Sequence, residues 1–311
     1  MSSKEKFEIN SFYRFIKIKD KEIIKKELDN FFKYKTVKGT ILLSNEGING
    51  SLSGTKSDID KCIKLIKLKL GIKKINSKIN KVEYLPFNRL KIRLKKEIVS
   101  LGKGEMNIDK LRGKFVSPEQ WNKIIKKKHI KIIDVRNVYE TSIGKFKGSL
   151  DPKTNNFREF PETIKKLNLD KNDKIAMYCT GGIRCEKASS FLRKEGFKNV
   201  YQLEGGIINY LHYIKKYKKK SLWDGECFVF DERVTINKDL IEGKYLQCYG
   251  CRRPIQKKDT KSIHYKKGVH CSYCYKFRTK KQKERSTTRQ SQIDKAIAEN
   301  IDNPFIKIKN I

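Results

Sequence analysis

One short stretch of the chain has a clear chemical character, because two thiols, two glycines and an arginine lie within seven residues. It consists of Cys179, Thr180, Gly181, Gly182, Ile183, Arg184 and Cys185. The glycines allow the loop to curl with its amide N–H groups pointing inward at a helix start, an arrangement that binds anions. Such amides and a nearby guanidinium lower the pKa of a thiol. We therefore expect Cys179 to be largely thiolate near neutral pH, and nucleophilic.

The spacing within this loop separates related chemistries. Arg184 follows Cys179 by five positions, which gives Cys-x4-Arg, whereas the phosphatase pattern Cys-x5-Arg forms a wider cradle. The tighter cradle suits a thiolate or its sulfur and oxygen adducts. Cys185 either acts as a resolving thiol for Cys179 or packs as an ordinary helix residue, and the sequence leaves both readings open.

A second set of thiols has the spacing of a metal site. Cys248 and Cys251 form one Cys-x2-Cys pair, and Cys271 and Cys274 form another, nineteen residues further on. This is the spacing of structural zinc sites, in which two tight turns bring four thiolates into a tetrahedron. The alternative of four free thiols is weaker, because the polar flanking sequence offers little core to hide them.

The elements around the first loop predict an α/β domain over residues 112–220. A strand at 174–178 leads directly into Cys179, further strands are expected at 130–135 and 200–203, and helices alternate with them. Ser117, Pro118 and Gln120 form a capping box that opens the domain. Alternating strands and helices imply a parallel sheet covered on both faces, with chemistry at the carboxyl ends of its strands.

The chain before this domain predicts a ferredoxin-like α+β sandwich over residues 1–105. Strand, helix, hairpin, helix and strand patterns follow one another, with the hairpin turn at 45–50 and the last strand at 90–94. The first helix has an apolar face that includes Ile23, and the second carries Cys62 on its buried face and ends before Gly71. The turn at 45–50 either holds an RNA or is a plain turn.

Two further segments follow the α/β domain. A lysine-rich run at 215–220 is followed by a Cys-rich module over residues 221–280. This module begins with a short β stretch at 227–234 and contains the four cysteines of the expected zinc site. The polar, basic segment 281–311 is expected to be a flexible tail, in which Ile293, Ile297 and Ile301 alone indicate a helix.

Composition limits the binding partners and the cellular compartment that we expect for the protein. Its 73 Lys and Arg against 35 Asp and Glu give a net charge of +38, which permits RNA binding but also fits A/T-rich codon usage. No stretch reaches the apolar length of a membrane helix, and no secretion signal is visible, so we expect a cytoplasmic protein without membrane contact. Eight cysteines in a reducing compartment are expected to be catalytic, metal-binding or buried. The sequence does not predict an oligomeric state.

Several motifs resemble known families. Rhodanese domains are matched by residues 134–137 (DVRN), 144–150 (GKFKGSL) and 179–185 (CTGGIRC). The runs 44–50 (SNEGING), 86–90 (PFNRL), 157–161 (FREFP), 177–188 (MYCTGGIRCEKA), 203–207 (LEGGI) and 225–233 (GECFVFDER) resemble the rhodanese-domain tRNA uridine hydroxylases. The similarity covers about residues 12–233, and it adds an acylphosphatase-like first domain and a rhodanese-like second domain to the expected fold.

The resemblance implies an activity and a substrate. Members of this family convert the wobble uridine at tRNA position 34 to 5-hydroxyuridine with dioxygen, so it implies contact with the anticodon region and makes Cys179 the essential residue. No cofactor is expected in the catalytic site. Asp134, Arg136 and Glu140 either orient the loop or close local hydrogen bonds.

The cysteine loop suggests a reaction mechanism, and it also leaves alternative functions open. Addition of the Cys179 thiolate at C6 of uracil would create carbanion character at C5, which could react with dioxygen. The closest rival is a sulfurtransferase that carries a persulfide on Cys179, and the loop does not separate the two. A non-catalytic RNA-binding protein is the third alternative, but it would need a degraded loop, and this loop is intact.

Overall fold

The computed structural model of the protein describes residues 6–300. An α+β domain comes first, an α/β domain follows, and a Cys-rich module with a long helix comes last. Within the described residues, no helix combines the length and apolar character needed to cross a membrane.

The first domain is a five-stranded sheet with two helices on one face. Its elements are β1 (Phe7–Phe15), α1 (Lys21–Phe32), β2 (Lys38–Ser44), β3 (Gly47–Gly54), α2 (Lys56–Lys69), β4 (Asn76–Val82) and β5 (Leu90–Leu94). The strand order is β4-β1-β3-β2-β5, antiparallel except for β5, which runs parallel to β2. The ferredoxin-like expectation is confirmed, but its last strand was wrongly placed. Asn76–Val82 closes the βαββαβ unit, and Leu90–Leu94 is an additional strand.

The helices of this domain bury the apolar side of the sheet. Leu28 and Phe32 of α1 and Ile59, Cys62 and Ile66 of α2 are buried there. The prediction that Cys62 belongs to the core is confirmed. The prediction for Ile23 was wrong, since this residue is 60% exposed at the solvent side of α1. Gly71 follows α2 with φ +62°, as the helix-end pattern predicted.

The opposite side of the sheet is polar and faces the second domain. The strand register aligns Ser11 with Ser51 and with Lys78, and it aligns Tyr13 with Asn49. Lys78 donates to the Asn209 side chain at 2.7 Å across the domain boundary. This polar side makes β4 poor in apolar residues, which is why its sequence gives little indication of a strand.

The second domain has the predicted parallel sheet. Its elements are α3 (Ile108–Leu111), β6 (Lys114–Val116), α4 (Pro118–Ile124), β7 (Ile130–Asp134), α5 (Val138–Thr141), β8 (Gly144–Phe146), α6 (Phe160–Thr163), β9 (Lys174–Tyr178), α7 (Ile183–Lys194), β10 (Asn199–Leu203) and α8 (Gly206–Tyr217), with 3₁₀ turns at Phe157–Glu159 and Ile164–Leu167. The order is β6-β10-β9-β7, all parallel. Separate apolar clusters cover its two faces, and the capping box of Ser117 and Gln120 is present.

The last part of the chain is joined to the second domain by a strand pair. It contains β11 (Trp223–Gly225), β12 (Cys227–Phe228), β13 (Thr235–Ile236), β14 (Leu246–Gln247), β15 (Pro254–Ile255), a 3₁₀ turn at Lys257–Lys261 and α9 (Lys280–Ala298). β11 pairs with β8 in antiparallel orientation. The β stretch predicted at 227–234 is shorter than expected, because only Cys227–Phe228 forms a strand.

The expectation of a flexible tail from residue 281 was wrong for its first part. α9 begins with a capping box of Thr279 and Gln282, and Ser286, Ile293 and Ala296 are buried along it. Most other residues of this helix are polar, so its apolar periodicity is weak in the sequence. Ile301 lies outside the described residues.

Candidate active site

The loop with the two thiols lies between β9 and α7, at the carboxyl edge of the parallel sheet. β9 is flanked by β10 and β7, so Cys179 follows a central strand. The side chain of Cys179 is buried, with 0% exposure. Gly182 has φ +99°, a left-handed conformation that favours glycine, and it directly precedes the helix. The predicted loop between a buried strand and a helix start is therefore present.

The sulfur of Cys179 is surrounded by hydrogen-bond donors. The N–H of Gly182 donates to its Sγ at 3.2 Å. Burial alone would raise the pKa of Cys179, but the Cys185 thiol, the Arg184 charge and the amides of Cys185 and Gly182 lower it from 9.0 to about 6. Cys179 is therefore mainly thiolate at pH 7.

The second thiol of the loop has the opposite character. Cys185 lies in the first turn of α7 and is fully buried in the core. Burial and the negative charge of Cys179 raise the pKa of Cys185 well above its usual range. Cys185 thus keeps its proton and donates it in a hydrogen bond to the Cys179 sulfur.

The guanidinium of Arg184 is fixed by Glu140, one of the three residues expected either to orient the loop or to close local hydrogen bonds. Its Nη1 and Nη2 atoms each lie 2.6 Å from a carboxylate oxygen of Glu140, at the start of α5. The Thr180 hydroxyl donates to the same carboxylate at 3.2 Å. Although burial favours the neutral acid, the Arg184 charge and hydrogen bonds lower the pKa of Glu140. Arg184 thus supplies a fixed positive charge beside the sulfur while its fork is occupied by Glu140.

Asp134 and Arg136 form a buried pair of their own. Nε and Nη2 of Arg136 lie 2.9 and 2.7 Å from the Asp134 carboxylate oxygens. The same guanidinium donates to the carbonyl oxygens of Glu140 at 3.2 Å and Gly144 at 2.6 Å. These contacts fit the local hydrogen-bonding alternative, and they brace the segment that carries Glu140.

The first domain also reaches the loop. The Tyr13 hydroxyl donates to Oε1 of the buried Glu186, on α7, at 2.7 Å. A Cβ atom at Gly182 would lie 2.9 Å from the same hydroxyl oxygen, so the glycine is also needed for this close approach. Tyr13 lies in an alternating strand far from any motif, and no local signal in the sequence indicated this role.

The hairpin turn at 45–50 has a structural contact. Glu46, in that turn, accepts a hydrogen bond at 2.8 Å from Nζ of Lys187, which is fully buried on α7. Lys187 also pairs with Glu97 and donates to the Val99 carbonyl oxygen at 3.0 Å. The turn therefore braces α7, the helix that follows the cysteine loop.

A cavity of about 810 Å³ lies in front of the thiolate. Its walls are the polar side of the first sheet, the cysteine loop, residues 229–231 and Arg233. Phe87, Phe115 and Phe230 add aromatic surface to it, and Phe230 is 62% exposed. The volume lies in the range of pockets that bury whole small ligands.

The four cysteines of the C-terminal module meet in one place. Their Sγ atoms all lie within 4.8 Å of one another. The distances are 3.8 Å between Cys248 and Cys274, and 3.9 Å both between Cys251 and Cys271 and between Cys271 and Cys274. A tetrahedral zinc ion with Zn–S bonds of about 2.3 Å places its sulfurs roughly 3.8 Å apart. The donor set fits zinc and leaves no ligand position open.

Two family models match the first two domains. Residues 7–98 match the UPF0176 acylphosphatase like domain, and residues 117–212 match the Rhodanese-like domain. A rhodanese-related protein from Thermoplasma volcanium is 26% identical, covering 32% of this chain and 92% of its own, with a TM-score of 0.28. A rhodanese-like domain protein from Staphylococcus aureus is 24% identical, covering 31% and 90%, with a TM-score of 0.27.

A curated relative matches nearly the whole chain. The tRNA uridine(34) hydroxylase of Pelagibacter ubique is 46% identical over 291 residues, which cover 93% of this chain and 95% of that protein. The match includes both domains and extends beyond them into the C-terminal module. The chain belongs to the tRNA uridine(34) hydroxylase family.

Proposed function

We propose that the protein hydroxylates the wobble uridine at position 34 of tRNA to 5-hydroxyuridine, with dioxygen as co-substrate and Cys179 as the catalytic residue. The observation that carries the proposal is a thiol of pKa about 6 in the wall of an 810 Å³ cavity. The relative from Pelagibacter ubique, named for this reaction, supports the choice of substrate. A cytoplasmic location is part of the proposal, since tRNA is modified there.

The chemistry begins with the thiolate. Cys179 Sγ forms a bond to C6 of uracil, and the C5–C6 π electrons move to C5, where the adjacent carbonyl stabilises the charge. Addition of dioxygen at C5, with one proton from solvent, gives a hydroperoxide. A thiol reductant then supplies two electrons and two protons, which leave the hydroxyl on C5 and release water. Loss of the C5 proton and departure of the thiolate restore the double bond.

The surroundings of the thiolate suit each step. The Gly182 amide, the Cys185 thiol and the Arg184 charge favour the anion, so they also favour its departure in the last step. The burial of Cys179 keeps water away from the sulfur. Glu140 takes no part in bond changes and holds Arg184 in place.

The cavity suits a single extruded base. Anticodon-loop bases can leave their stack without opening a duplex, which makes them accessible to a recessed thiolate. The Phe230 ring lies 5.9 Å from the Arg184 guanidinium at the cavity wall and offers a stacking surface for the base. The side chains of Ser11, Asn49 and Ser51 offer hydrogen-bond partners on the opposite wall.

The four cysteines of the C-terminal module hold a structural zinc ion in this proposal. Cys248, Cys251, Cys271 and Cys274 supply four thiolates, Ile255 and Tyr265 pack against them, and Arg289 of α9 donates to the Gly268 carbonyl oxygen at 2.8 Å. Zinc gives this small module the internal order that its few apolar residues do not provide.

Nucleoside mass spectrometry tests the catalytic role. Cells that hold only the Cys179→Ser protein should contain tRNA without 5-hydroxyuridine, whereas Cys62→Ala, a change at a buried cysteine of the first domain, should leave the nucleoside present. A normal level in the Cys179→Ser cells would exclude the role. Thiosulfate turnover by the purified protein, with tRNA unchanged, would point to the sulfurtransferase alternative.

A further inference from the structure

A row of cations lies along β5, at one edge of the first sheet. Arg89, Lys91 and Arg93 alternate along the chain, so their side chains share one side of the strand. Lys91 is aligned with Thr40, and Arg93 with Leu42, on the neighbouring parallel strand. Since those two partners line the cavity, the row lies on the side of the sheet that faces the thiolate.

The C-terminal module adds a cation to this row. The guanidinium of Arg252, next to Cys251, lies 5.2 Å from the centre of the Tyr249 ring. Tyr249 and Asn88, the neighbour of Arg89, both donate to the Glu232 carboxylate, at 2.7 and 3.4 Å. Burial and the charges of Arg89, Arg93 and Arg252 lower the pKa of Lys91. Positive charges from two separate parts of the chain therefore converge beside the cavity and repel one another.

Carboxylates do not neutralise this group. Within residues 6–300, the ion pairs include no contact of Arg89, Lys91, Arg93 or Arg252 with an acidic side chain. Two acidic residues at this junction have other partners. Asp231 pairs with Arg233 at 2.7 Å, and Glu232 accepts a hydrogen bond from Tyr249 at 2.7 Å.

We infer that Arg89, Lys91, Arg93 and Arg252 form a phosphate-binding surface for the tRNA backbone next to the base in the cavity. The inference rests on the proposed function, because it takes tRNA as the substrate. Like charges held together without a carboxylate partner are neutralised when phosphates bind, and the release of counterions drives that binding. The overall charge of +38 is spread along the chain, but this group is confined to the side of the sheet that faces the cavity.

The test compares two double variants of equal charge. Lys91→Glu with Arg93→Glu removes the row, and Lys61→Glu with Lys64→Glu makes the same charge change at exposed positions of α2, on the opposite side of the sheet. Binding of a tRNA transcript with uridine at position 34 is measured by fluorescence anisotropy over a salt series. We expect the row variant to bind about tenfold more weakly or worse, with the slope of log Kd against log salt reduced by about one to two.

Controls separate this surface from the proposed reaction. Alkylation of Cys179 by iodoacetamide should proceed at the wild-type rate in both variants. Lys91→Gln with Arg93→Gln should show a smaller loss of tRNA affinity and a smaller reduction of the salt slope.

A row variant with the affinity and salt slope of the α2 variant would overturn the phosphate-binding surface, even if hydroxylation continued. A wild-type protein that binds tRNA through this row but forms no 5-hydroxyuridine would overturn the proposed function alone. A wild-type protein that does not bind tRNA would overturn both.

Discussion

The carboxylate of Glu140 binds both terminal nitrogens of Arg184, at 2.6 Å each, and both groups lie inside the protein. The pair holds the positive charge of the cysteine loop in one position beside the thiolate. Because two buried charges are stable only together, the geometry of the loop depends on a residue from a different element.

Glu140→Gln should destabilise the protein. The change leaves the Arg184 charge buried without its partner, and we expect the free energy of unfolding to fall by about 3 kcal/mol. Denaturant unfolding measures this. Glu119→Gln is the matched control, since Glu119 pairs with Lys123 at the surface and should change stability by less than about 0.5 kcal/mol. Equal stabilities of the two variants would contradict the buried pair.

The reactivity of Cys179 should follow a pKa of about 6. Since only the thiolate reacts, the alkylation rate should be constant above neutral pH and fall about tenfold for each pH unit below 6. Cys185→Ala removes the thiol that donates to the sulfur, so the midpoint of its profile should move to higher pH. The pH dependence of iodoacetamide labelling, followed by peptide mass spectrometry, checks both. A midpoint near 9 in the wild type would rule out the stabilised thiolate.

Lys187→Met should loosen the contact between the first two domains. The change leaves the carboxylates of Glu46 and Glu97 close together without the cation between them, and we expect a loss of about 3 kcal/mol in unfolding free energy. The exposed Lys194 of the same helix provides the control Lys194→Met.

The same contact has a pH dependence. Burial would raise the pKa of Glu97, but its bonds to Lys187 and to the Leu101 and Gly102 amides lower it below the usual carboxyl range. The stabilisation is therefore complete above the unfolded pKa of about 4.3 and is lost as the pH falls through the folded value. Unfolding of wild type and Lys187→Met should consequently converge in acid, and persistent separation would refute this assignment.

Zinc content provides a further prediction. Protein purified without chelator should contain one zinc ion per chain, and Cys271→Ser should lose most of it, while Cys227→Ala, at a buried cysteine outside the cluster, should retain it. Elemental analysis and thiol titration measure the two quantities. Zinc well below one equivalent, with all four thiols titratable, would exclude the site.

Local patterns in the sequence predicted much of the fold. Glycine positions and a strand before Cys179 were enough to predict the cysteine loop, and the capping box at Ser117 follows from adjacent residues alone. The Cys-x2-Cys pairs likewise predicted the cluster, because the ligand spacing is set by two tight turns.

Contacts between distant segments could not be predicted in this way. Glu140 and Arg184 are 44 positions apart, and Tyr13 and Glu186 are 173 positions apart, so no periodicity links them. β4 escaped prediction because its polar side faces another domain instead of a core. α9 escaped because few of its residues are buried.

The burial of Lys187 has a consequence for how RNA reaches the thiolate. If the first domain moved away from the second, the buried ammonium group of Lys187 would lose its contacts with Glu46, Glu97 and the Val99 carbonyl oxygen. The relative position of the two domains, and with it the opening of the cavity, is therefore fixed before a substrate binds. In the proposed reaction, the rearrangement on binding therefore falls to the tRNA, whose base must turn outward to reach the Cys179 sulfur.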